Sequence, residues 1–506
     1  MSAHLRSIDA AALAAMPILE PFAPAAAEVR RASDLTGEVR VLTCGSVDDG
    51  KSTLIGRLLW DASDLFEDQR EAVERHGRTV AGGQHFDYSL LVDGLVAERE
   101  QGITIDIAWR YFDSADRRFV IIDSPGHEQY TRNMASGASH ADVAVMLIDA
   151  RHGIKTQTRR HAALLDLFGV RTVVLAVNKM DLVGFDESCF RTIAREFEEL
   201  AVGFAFDAAV AIPVSAVGGD NVAQASAAMA WYAGPTLLDV IRGARSAESR
   251  RQAPFRMPVQ MVLRDGQDFR GLAGTITSGT LAVGDVIADV VSGQTARVAR
   301  IATMGGDLDQ AVAGAAVAIV ASKDLDLSRG AVLSGSTHQA RRAVRLEARL
   351  VWLSETPFDI DRGYLVRTAT DLVPLTALAI TARLDLASLA RIDTETCGVN
   401  DIVEASMELG RPTAVDSFAD VPGTGTILIV DAIDGSTVAG GVVGSVHETA
   451  SKNAGTALVI DRALLASGLC HDLGDTIEDR IEFERRAREL ALLFQRTGVR
   501  VRLELG

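Results

Sequence analysis

Residues 45–52 read Gly-Ser-Val-Asp-Asp-Gly-Lys-Ser, the pattern G-x-x-x-x-G-K-S, between a strand-like run at 38–44 and a helical run at 52–60. The glycines of such a turn let backbone N–H groups point inward around bound phosphates at the start of a helix. Lys51 would bring a positive charge to the outermost phosphates, and the Ser52 hydroxyl would ligate Mg²⁺. The stretch predicts a nucleoside triphosphate site in an α/β fold, although a glycine-rich turn that serves only tight packing has the same pattern.

A second motif follows the apolar strand predicted at 119–122, where residues 123–126 read Asp-Ser-Pro-Gly. Asp123, at the end of that strand, could hold the metal directly or through water, and the turn could bring a backbone N–H to the γ-phosphate. His127 comes next. A lone histidine is more often structural, but this position predicts that it lies beside the water that attacks the γ-phosphate.

The third and fourth motifs indicate the base. Residues 178–181 read Asn-Lys-Met-Asp after a buried-type strand at 172–177, and Ser215-Ala216 follows the run at 210–214. The backbone N–H of Ser215-Ala216 would reach the guanine oxygen. The Asp181 carboxylate can accept both N–H groups on the edge of guanine, which adenine does not offer, so GTP is favoured over ATP. The four motifs end four predicted strands, which is where ligands bind in parallel sheets. The predicted nucleotide-binding residues are Gly45, Ser46, Val47, Asp48, Asp49, Gly50, Lys51, Ser52, Thr53, Asp123, Ser124, Pro125, Gly126, His127, Asn178, Lys179, Asp181, Ser215 and Ala216.

Residues 98–105 read Glu-Arg-Glu-Gln-Gly-Ile-Thr-Ile, between the first two motifs. Thr104 would coordinate Mg²⁺ only while the γ-phosphate is present, which is how a switch loop senses its nucleotide. The alternative is an ordinary β-branched start to a strand at 104–112. With Ser52 and Asp123, Thr104 completes the predicted metal site.

These motifs resemble those of the translational GTPases and, more closely, the large GTPase subunit of bacterial heterodimeric sulfate adenylyltransferase. The resemblance covers about residues 39–443 and also rests on 90–95, 97–105, 125–134, 175–186 and 231–238. Asp49 stands where elongation factor Tu has a second histidine, and Ser52 where it has threonine. Ser124 stands where the resembled family usually has threonine, a change that keeps the hydroxyl.

The resemblance implies a function and a partner. A separate small subunit would adenylate sulfate with ATP, while this chain couples GTP hydrolysis to that unfavourable step, with GTP and Mg²⁺ as its cofactors. Lys51 and Thr104 would act in catalysis with His127, which would orient the attacking water. This chain has one set of nucleotide motifs, so we expect it to adenylate nothing by itself.

The alternative is an elongation-factor-like translation GTPase that delivers aminoacyl-tRNA. The net charge of −17 and the isoelectric point near 5.1 oppose it, because an RNA backbone would be repelled. A purely regulatory switch without an enzyme partner is a third reading. We therefore predict no nucleic-acid partner.

The remaining composition bounds location and metal chemistry. Four cysteines, without pair or metal-ligand spacing, predict reduced thiols and no metal site among them. The alanine-rich stretch at 10–27 contains Pro17, Pro21 and Pro24, which argue against an export signal. With no apolar run long enough for a membrane span, we expect a soluble cytoplasmic protein.

The predicted architecture is a doubly wound, mostly parallel α/β P-loop domain followed by two β-barrels. Its predicted elements include a helix at 187–200 in the first domain and a strand at 257–263 in the first barrel. At 506 residues the chain is long enough for several cores. We expect charged helical runs, and a mobile flap, in an insertion at 61–98. The predicted divisions are an arm at 1–36 with a short helix near 8–15, the GTP-binding domain at 37–247, barrels at 248–342 and 343–443, and a tail at 444–506.

The tail resembles an internal piece of adenylylsulfate kinase, a domain to which many relatives of this subunit are fused. The phosphate loop that should precede this piece has no counterpart, since residues 444–455 contain no G-x-x-x-x-G-K. We therefore predict a short degenerate α/β tail, with a helix at 477–496 and no kinase activity. A chance amphipathic helix is the alternative.

Overall fold

The computed structural model describes residues 38–62, 70–71, 73–74, 78–80, 83–92, 106–114, 117–244, 251–265, 269–448, 458–461, 476, 479, 482–487, 489 and 501–504. The chain divides into two compact units, 1–36 and 37–506, and the described residues all lie in the second. The helix predicted near 8–15 and the predicted switch residue Thr104 lie outside the described residues.

The predicted GTP-binding domain alternates strands and helices. Its described strands are β1 (Glu38–Gly45), β2 (Arg78–Val80), β3 (Gly83–His85), β4 (Ala108–Ser114), β5 (Arg117–Asp123), β6 (Val143–Asp149), β7 (Thr172–Asn178) and β8 (Ala208–Pro213). Its described helices are α1 (Lys51–Ala62), α2 (Thr131–Ala138), α3 (Thr156–Leu167), α4 (Glu187–Ala201) and α5 (Leu237–Gly243), with 3₁₀ turns at Tyr88–Leu91, Glu128–Tyr130 and Met180–Val183.

Six of these strands form one sheet in the order β4-β5-β1-β6-β7-β8. All neighbours are parallel except β4, which runs antiparallel to β5 at the edge. Every residue of β6 is buried, as expected for a strand covered on both faces. Successive residues of β6 alternate between two hydrophobic clusters, one on each face of the sheet. The predicted α/β class is confirmed.

The parallel register brings the carboxyl ends of the strands to one edge. Asp123 lies opposite Thr43, and Asp149 lies opposite Asn178. The loops that leave this edge carry the motifs, so the sheet itself places them together.

The insertion after α1 differs from its prediction. Charged helical runs were expected across 61–98, yet β2 and β3 pair as an antiparallel hairpin. Beyond the end of α1, the described helical residues of this segment are 70–71, 73–74 and the 3₁₀ turn Tyr88–Leu91. Trp60 packs against Phe86 and Tyr88, with ring centroids 5.8 and 5.7 Å away. These aromatic contacts fasten the described end of the insertion to α1.

The first barrel has short strands joined by tight turns. The strands are β9 (Arg256–Pro258), β10 (Met261–Asp265), β11 (Phe269–Thr275), β12 (Thr280–Ala282), β13 (Val286–Asp289), β14 (Thr295–Thr303), β15 (Gly306–Leu308), β16 (Gln310–Val312), β17 (Ala316–Ala321) and β18 (Val332–Gly335). The main sheet runs β10-β11-β17-β14-β13-β18-β9.

One strand predicted in this barrel, at 257–263, is in fact two. β9 pairs with β18, whereas β10 pairs with β11, so the chain changes partners between Pro258 and Met261. Pro258 has no N–H to donate to a ladder. The Val259 N–H then donates to the Ala331 carbonyl and the Gln260 N–H to Ala273, both at 2.9 Å.

The second barrel is closed. Its strands are β19 (Arg341–Trp352), β20 (Tyr364–Arg367), β21 (Leu372–Leu384), β22 (Arg391–Asp393), β23 (Ile402–Val415), β24 (Thr426–Asp431) and β25 (Thr437–His447), with a short helix α6 (Pro422–Gly425). The path β20-β24-β25-β19-β23-β21 returns to β20, which also pairs with β21. Trp352, 1% exposed, lies in the core.

Polar contacts join the three domains. The Arg256 guanidinium of the first barrel forms a two-pronged pair with Asp416, at 2.8 and 2.9 Å, and both side chains are almost fully buried. Arg349 of β19 reaches Asp166 at the end of α3, 2.7 Å away. Truncating one partner of such a buried pair leaves an uncompensated charge, so the Arg256–Asp416 contact fixes the barrels against each other.

The described part of the tail is a small parallel unit. β26 (Leu458–Asp461) pairs with β27 (Val501–Glu504), and residues 482–487 are helical. The predicted helix at 477–496 is therefore confirmed for its centre, while most of its ends lie outside the described residues. No helix in the described part of the chain is long and apolar enough to cross a membrane.

Candidate nucleotide-binding site

The loop between β1 and α1 curls around the Lys51 side chain, which is 7% exposed. The Lys51 ammonium donates to the Gly45 and Ser46 carbonyls, both at 3.0 Å. Burial lowers the pKa of Lys51, and the nearby Asp123 and Asp49 oppose that shift. The ammonium is thus held inside the loop, where a phosphate group would be bound.

Glycine is required at two positions because a Cβ atom there would lie too close to neighbouring atoms. A Cβ on Gly50, which has φ +91°, would meet the Asn178 amide nitrogen at 2.6 Å. A Cβ on Gly126 would meet the Lys51 ammonium nitrogen and the Gly45 carbonyl oxygen, each at 2.5 Å. The phosphate loop (residues 45–52) therefore contacts both the guanine motif (residues 178–181) and the Asp-Ser-Pro-Gly turn.

Asp49 has a role that its predicted contact with phosphate did not include. Its carboxylate, 3% exposed, accepts the Ser46 N–H at 2.7 Å and so closes the loop from within. Burial raises the pKa of Asp49, while the Ser46 N–H and Lys51 counteract part of that rise. Val47, Asp48, Ser52 and Thr53 lie in the loop or the first turn of α1, as predicted.

Asp123, a predicted metal ligand, ends β5 next to Ser124. The Asp123 carboxylate is 1% exposed and accepts the Thr43 hydroxyl at 3.2 Å. The Ser124 hydroxyl, also buried, donates to the Thr43 carbonyl at 2.7 Å. Carboxylate and hydroxyl oxygens are the donors that Mg²⁺ takes in such sites, so the chemistry of Asp123 and Ser52 suits this ion, and their role as its ligands stays a prediction.

His127 is exposed and begins the 3₁₀ turn Glu128–Tyr130. Its Nδ1 accepts the Gln129 N–H at 3.2 Å, which places the proton of the neutral ring on Nε2. Arg160 of α3 pairs with Glu128 at 3.0 Å and so links this turn to α3. His127 follows Pro125 and Gly126, which are buried, so its ring stands at the rim of the site.

The guanine motifs are joined by hydrogen bonds of Asn178, which is 2% exposed. Its amide donates to the Asp49 carbonyl at 2.8 Å, and its side-chain oxygen accepts the Ala216 N–H at 3.0 Å. The Ser215 hydroxyl donates to Asp181 Oδ1 at 2.7 Å. Each carboxylate oxygen has two lone pairs, so Asp181 can still accept from a base.

The backbone N–H groups of Ser215 and Ala216 form hydrogen bonds within the protein. The Ser215 and Ala216 N–H groups were expected to reach the guanine oxygen, but the Ala216 N–H donates to Asn178 and the Ser215 N–H to the Asp220 carbonyl at 3.3 Å. A contact of either group with guanine stays a prediction and would require these bonds to be shared. The hydroxyl of Ser215, which orients Asp181, is the clearer contribution.

Sequence reasoning missed Asp149, which ends β6 and contacts the Lys179 ammonium at 3.1 Å. Its position was a possible signal, since Asp123 and Asn178 end the strands β5 and β7 of the same sheet in the same way. Asp149 belongs to no named motif, however, and a single acidic residue after a strand is common.

Two family patterns match the chain. Residues 38–245 match the elongation factor Tu GTP binding domain, and residues 345–444 match the GTP-eEF1A C-terminal domain-like family. Among curated proteins, sulfate adenylyltransferase subunit 1 of Saccharophagus degradans is 44% identical over 418 residues, covering 82% of this chain and 88% of that protein. The chain belongs to the sulfate adenylyltransferase subunit 1 family.

Bifunctional NodQ enzymes of Rhizobium are also similar. NodQ of strain N33 is 46% identical over 80% of this chain, which spans only 63% of that protein. NodQ of strain BR816 is 40% identical over 91% of this chain and 80% of its own length. A match over 91% of 506 residues is longer than the 443 residues that precede the tail. The match with NodQ of strain BR816 therefore includes part of the tail.

Among solved structures, Sup35 complexed with GMPPNP is similar over 81% of this chain and 94% of its own, with 24% identity and a TM-score of 0.38. A likeness this loose adds nothing to the family assignment. That assignment rests on sequence identity with the curated relatives.

Proposed function

We propose that this chain is the GTP-hydrolysing subunit of a sulfate adenylyltransferase. It would couple GTP hydrolysis to the formation of adenylylsulfate and pyrophosphate from ATP and sulfate by a separate small subunit. The observation that carries the proposal is one continuous set of contacts, at a single sheet edge, that joins the phosphate loop to the guanine motif in a chain of this family.

The proposed hydrolysis relies on positioning and charge, as phosphoryl transfer generally does. Lys51 and the loop N–H groups would hold the phosphates, and Asp181 would read the edge of guanine. Ser52, Asp123 and the predicted ligand Thr104 would hold Mg²⁺, which supplies charge neutralisation when bound. His127 would use its ring to orient water for attack on the γ-phosphate.

Translation is disfavoured as a second function. The chain carries 68 acidic against 51 basic side chains, so a polyanionic partner would be repelled over most of the surface. A cytoplasmic location and the absence of nucleic-acid partners remain predictions.

Reconstitution with the small subunit tests the proposal. Pyrophosphate release from ATP and sulfate should rise when both GTP and this chain are present, and Lys51→Ala should abolish the rise because the phosphates lose their charged contact. A rate that is the same with and without this chain would refute the coupling.

A further inference from the structure

Asp149 is a buried carboxylate next to the guanine motif. It ends β6, and its side chain is 3% exposed. The parallel register places it directly opposite Asn178, the first residue of that motif. A charge buried this deeply is stable only when it is paired and hydrogen-bonded.

Both oxygens of Asp149 have cationic partners. The Arg151 guanidinium donates to Oδ1 at 3.0 Å and to Oδ2 at 2.6 Å, and the Arg151 backbone N–H donates to Oδ1 at 2.9 Å. The Lys179 ammonium lies 3.1 Å from Oδ2. Burial alone would raise the pKa of Asp149, but the hydrogen bonds from Arg151 and Lys179 outweigh it and hold that pKa well below its usual range.

Lys179 joins this carboxylate to the phosphate loop. Its backbone is left-handed, with φ 64°, which is uncommon for a residue that has a side chain. Its ammonium also donates to the Asp48 carbonyl, and Asp48 has a left-handed backbone of its own, with φ 68°. The Lys179 side chain therefore stretches between the end of β6 and the phosphate loop.

We infer that Asp149 is a positioning residue of the nucleotide site, which anchors the Lys179 ammonium so that the Lys179 stem is held ready against the face of guanine. The inference rests on the proposed function, since it assumes that this pocket takes a guanine nucleotide. A lysine has three rotatable donors on a flexible stem. Fixing it before the nucleotide arrives removes part of the ordering that binding would otherwise require.

The position of Lys179 predicts how loss of Asp149 should affect the affinities for different nucleotides. Asp181 is predicted to read the edge of the base, whereas Lys179 would contact its face. Loss of the Asp149 anchor should therefore weaken all purine nucleotides that fit the pocket to the same degree. Inosine triphosphate, which lacks the exocyclic amino group of guanine, should lose as much affinity as GTP does.

Titration of the full-length chain with fluorescent GDP and GTP, with inosine triphosphate as competitor, tests the inference. Asp149→Asn should raise the Kd for all three roughly tenfold, as expected for loss of a charge-assisted hydrogen bond. The ratio of GTP to inosine triphosphate affinity should stay within about twofold of wild type. Arg151→Ala is the matched control, because it leaves the carboxylate for Lys179, and it should change Kd less than about threefold.

A double-mutant cycle separates positioning from general stability. In a Lys179→Met background, which keeps the stem and removes the ammonium, Asp149→Asn should change Kd less than about twofold. A full tenfold loss in that background, or an unchanged Kd in folded Asp149→Asn, would overturn the inference. If Asp149→Asn does not fold, Lys179→Met alone decides, since an unchanged GTP affinity there means that the ammonium holds nothing in place. A wild-type chain that fails to bind GTP would instead refute the proposed function.

Discussion

His127 stands at the rim of the phosphate loop with its Nδ1 engaged by the Gln129 N–H. This bond fixes the ring through the nitrogen nearer the backbone and leaves the Nε2 end pointing away from the turn. A water held there would be oriented without any change in how the nucleotide itself is bound.

His127→Ala should therefore separate binding from hydrolysis. We expect GTP affinity close to wild type and a turnover lower by a factor on the order of 10², the usual cost of losing a water-positioning group. His127→Gln is the control, because glutamine fills this role in other GTPases and should restore part of the rate. Undiminished turnover of His127→Ala with the small subunit present would mean that His127 only packs.

Most residues of the site could be predicted from the sequence, and the exceptions depend on contacts between separate segments. Lys51, Asp123, Asn178 and Asp181 lie together at the sheet edge because each follows a strand whose apolar run is visible in sequence. Asp149 was not predicted, since its importance comes from a contact with Lys179, which directly follows the neighbouring strand β7. The bond between Ala216 and Asn178 likewise depends on how two loops meet.

At the level of elements, α3 lies between the nucleotide site and the second barrel. Its buried His161 lies 3.0 Å from the Gln157 side-chain nitrogen, and Asp166 near its end pairs with Arg349. Burial is the largest cause that lowers the pKa of His161, from 6.5 to about 3, followed by the charges of Lys51 and Arg160. The folded protein thus keeps this ring neutral.

The depressed pKa predicts acid sensitivity. Below pH 6.5 the unfolded chain binds a proton at His161 that the folded chain excludes. The contribution of the neutral His161 ring to the free energy of unfolding is therefore fully present above pH 6.5 and is lost as pH falls toward 3. Between pH 7.5 and 5 the loss should be on the order of 2 kcal/mol. Urea unfolding of wild type and His161→Gln at both pH values measures it, and an equal pH dependence of the two would contradict the assignment.

Element boundaries were predictable where a strand or helix is set by its own pattern. The strand predicted at 172–177 is Thr172–Asn178, and the helix predicted at 187–200 is Glu187–Ala201. Prediction was wrong at 257–263, where the break depends on two different partner strands. It was also wrong at 78–85, where a polar hairpin lacks the alternating apolar pattern that marks a half-buried strand.

For the whole molecule, the tail is the part that the proposed mechanism does not use. Its described strands, β26 and β27, form a two-stranded parallel pair, a type of sheet that is usually covered on both faces. Residues 444–455 hold no phosphate-binding motif. We therefore expect the tail to lack a site for ATP.

Deleting residues 456–506 should lower stability or assembly with the small subunit but leave GTP hydrolysis intact. The intact chain should not phosphorylate adenylylsulfate, because nothing in the tail sequence would hold the ATP phosphates. Thermal unfolding, co-purification and a kinase assay measure these outcomes. Kinase activity of the intact chain would refute the prediction that the tail lacks an ATP site. Loss of GTP hydrolysis on truncation would refute the prediction that hydrolysis does not need the tail.

If GTP bound in this pocket drives adenylylsulfate formation on the partner, a variant that prefers another base should transfer that dependence to another nucleotide. Asp181→Asn should weaken GTP and favour xanthosine triphosphate, because the amide no longer offers two acceptors to the guanine edge but can donate to the xanthine oxygen. In the reconstituted complex, pyrophosphate release from ATP and sulfate should then depend on xanthosine triphosphate instead of GTP. Release by the variant complex that still depends on GTP, or on neither nucleotide, would mean that the nucleotide in this pocket does not drive adenylylsulfate formation.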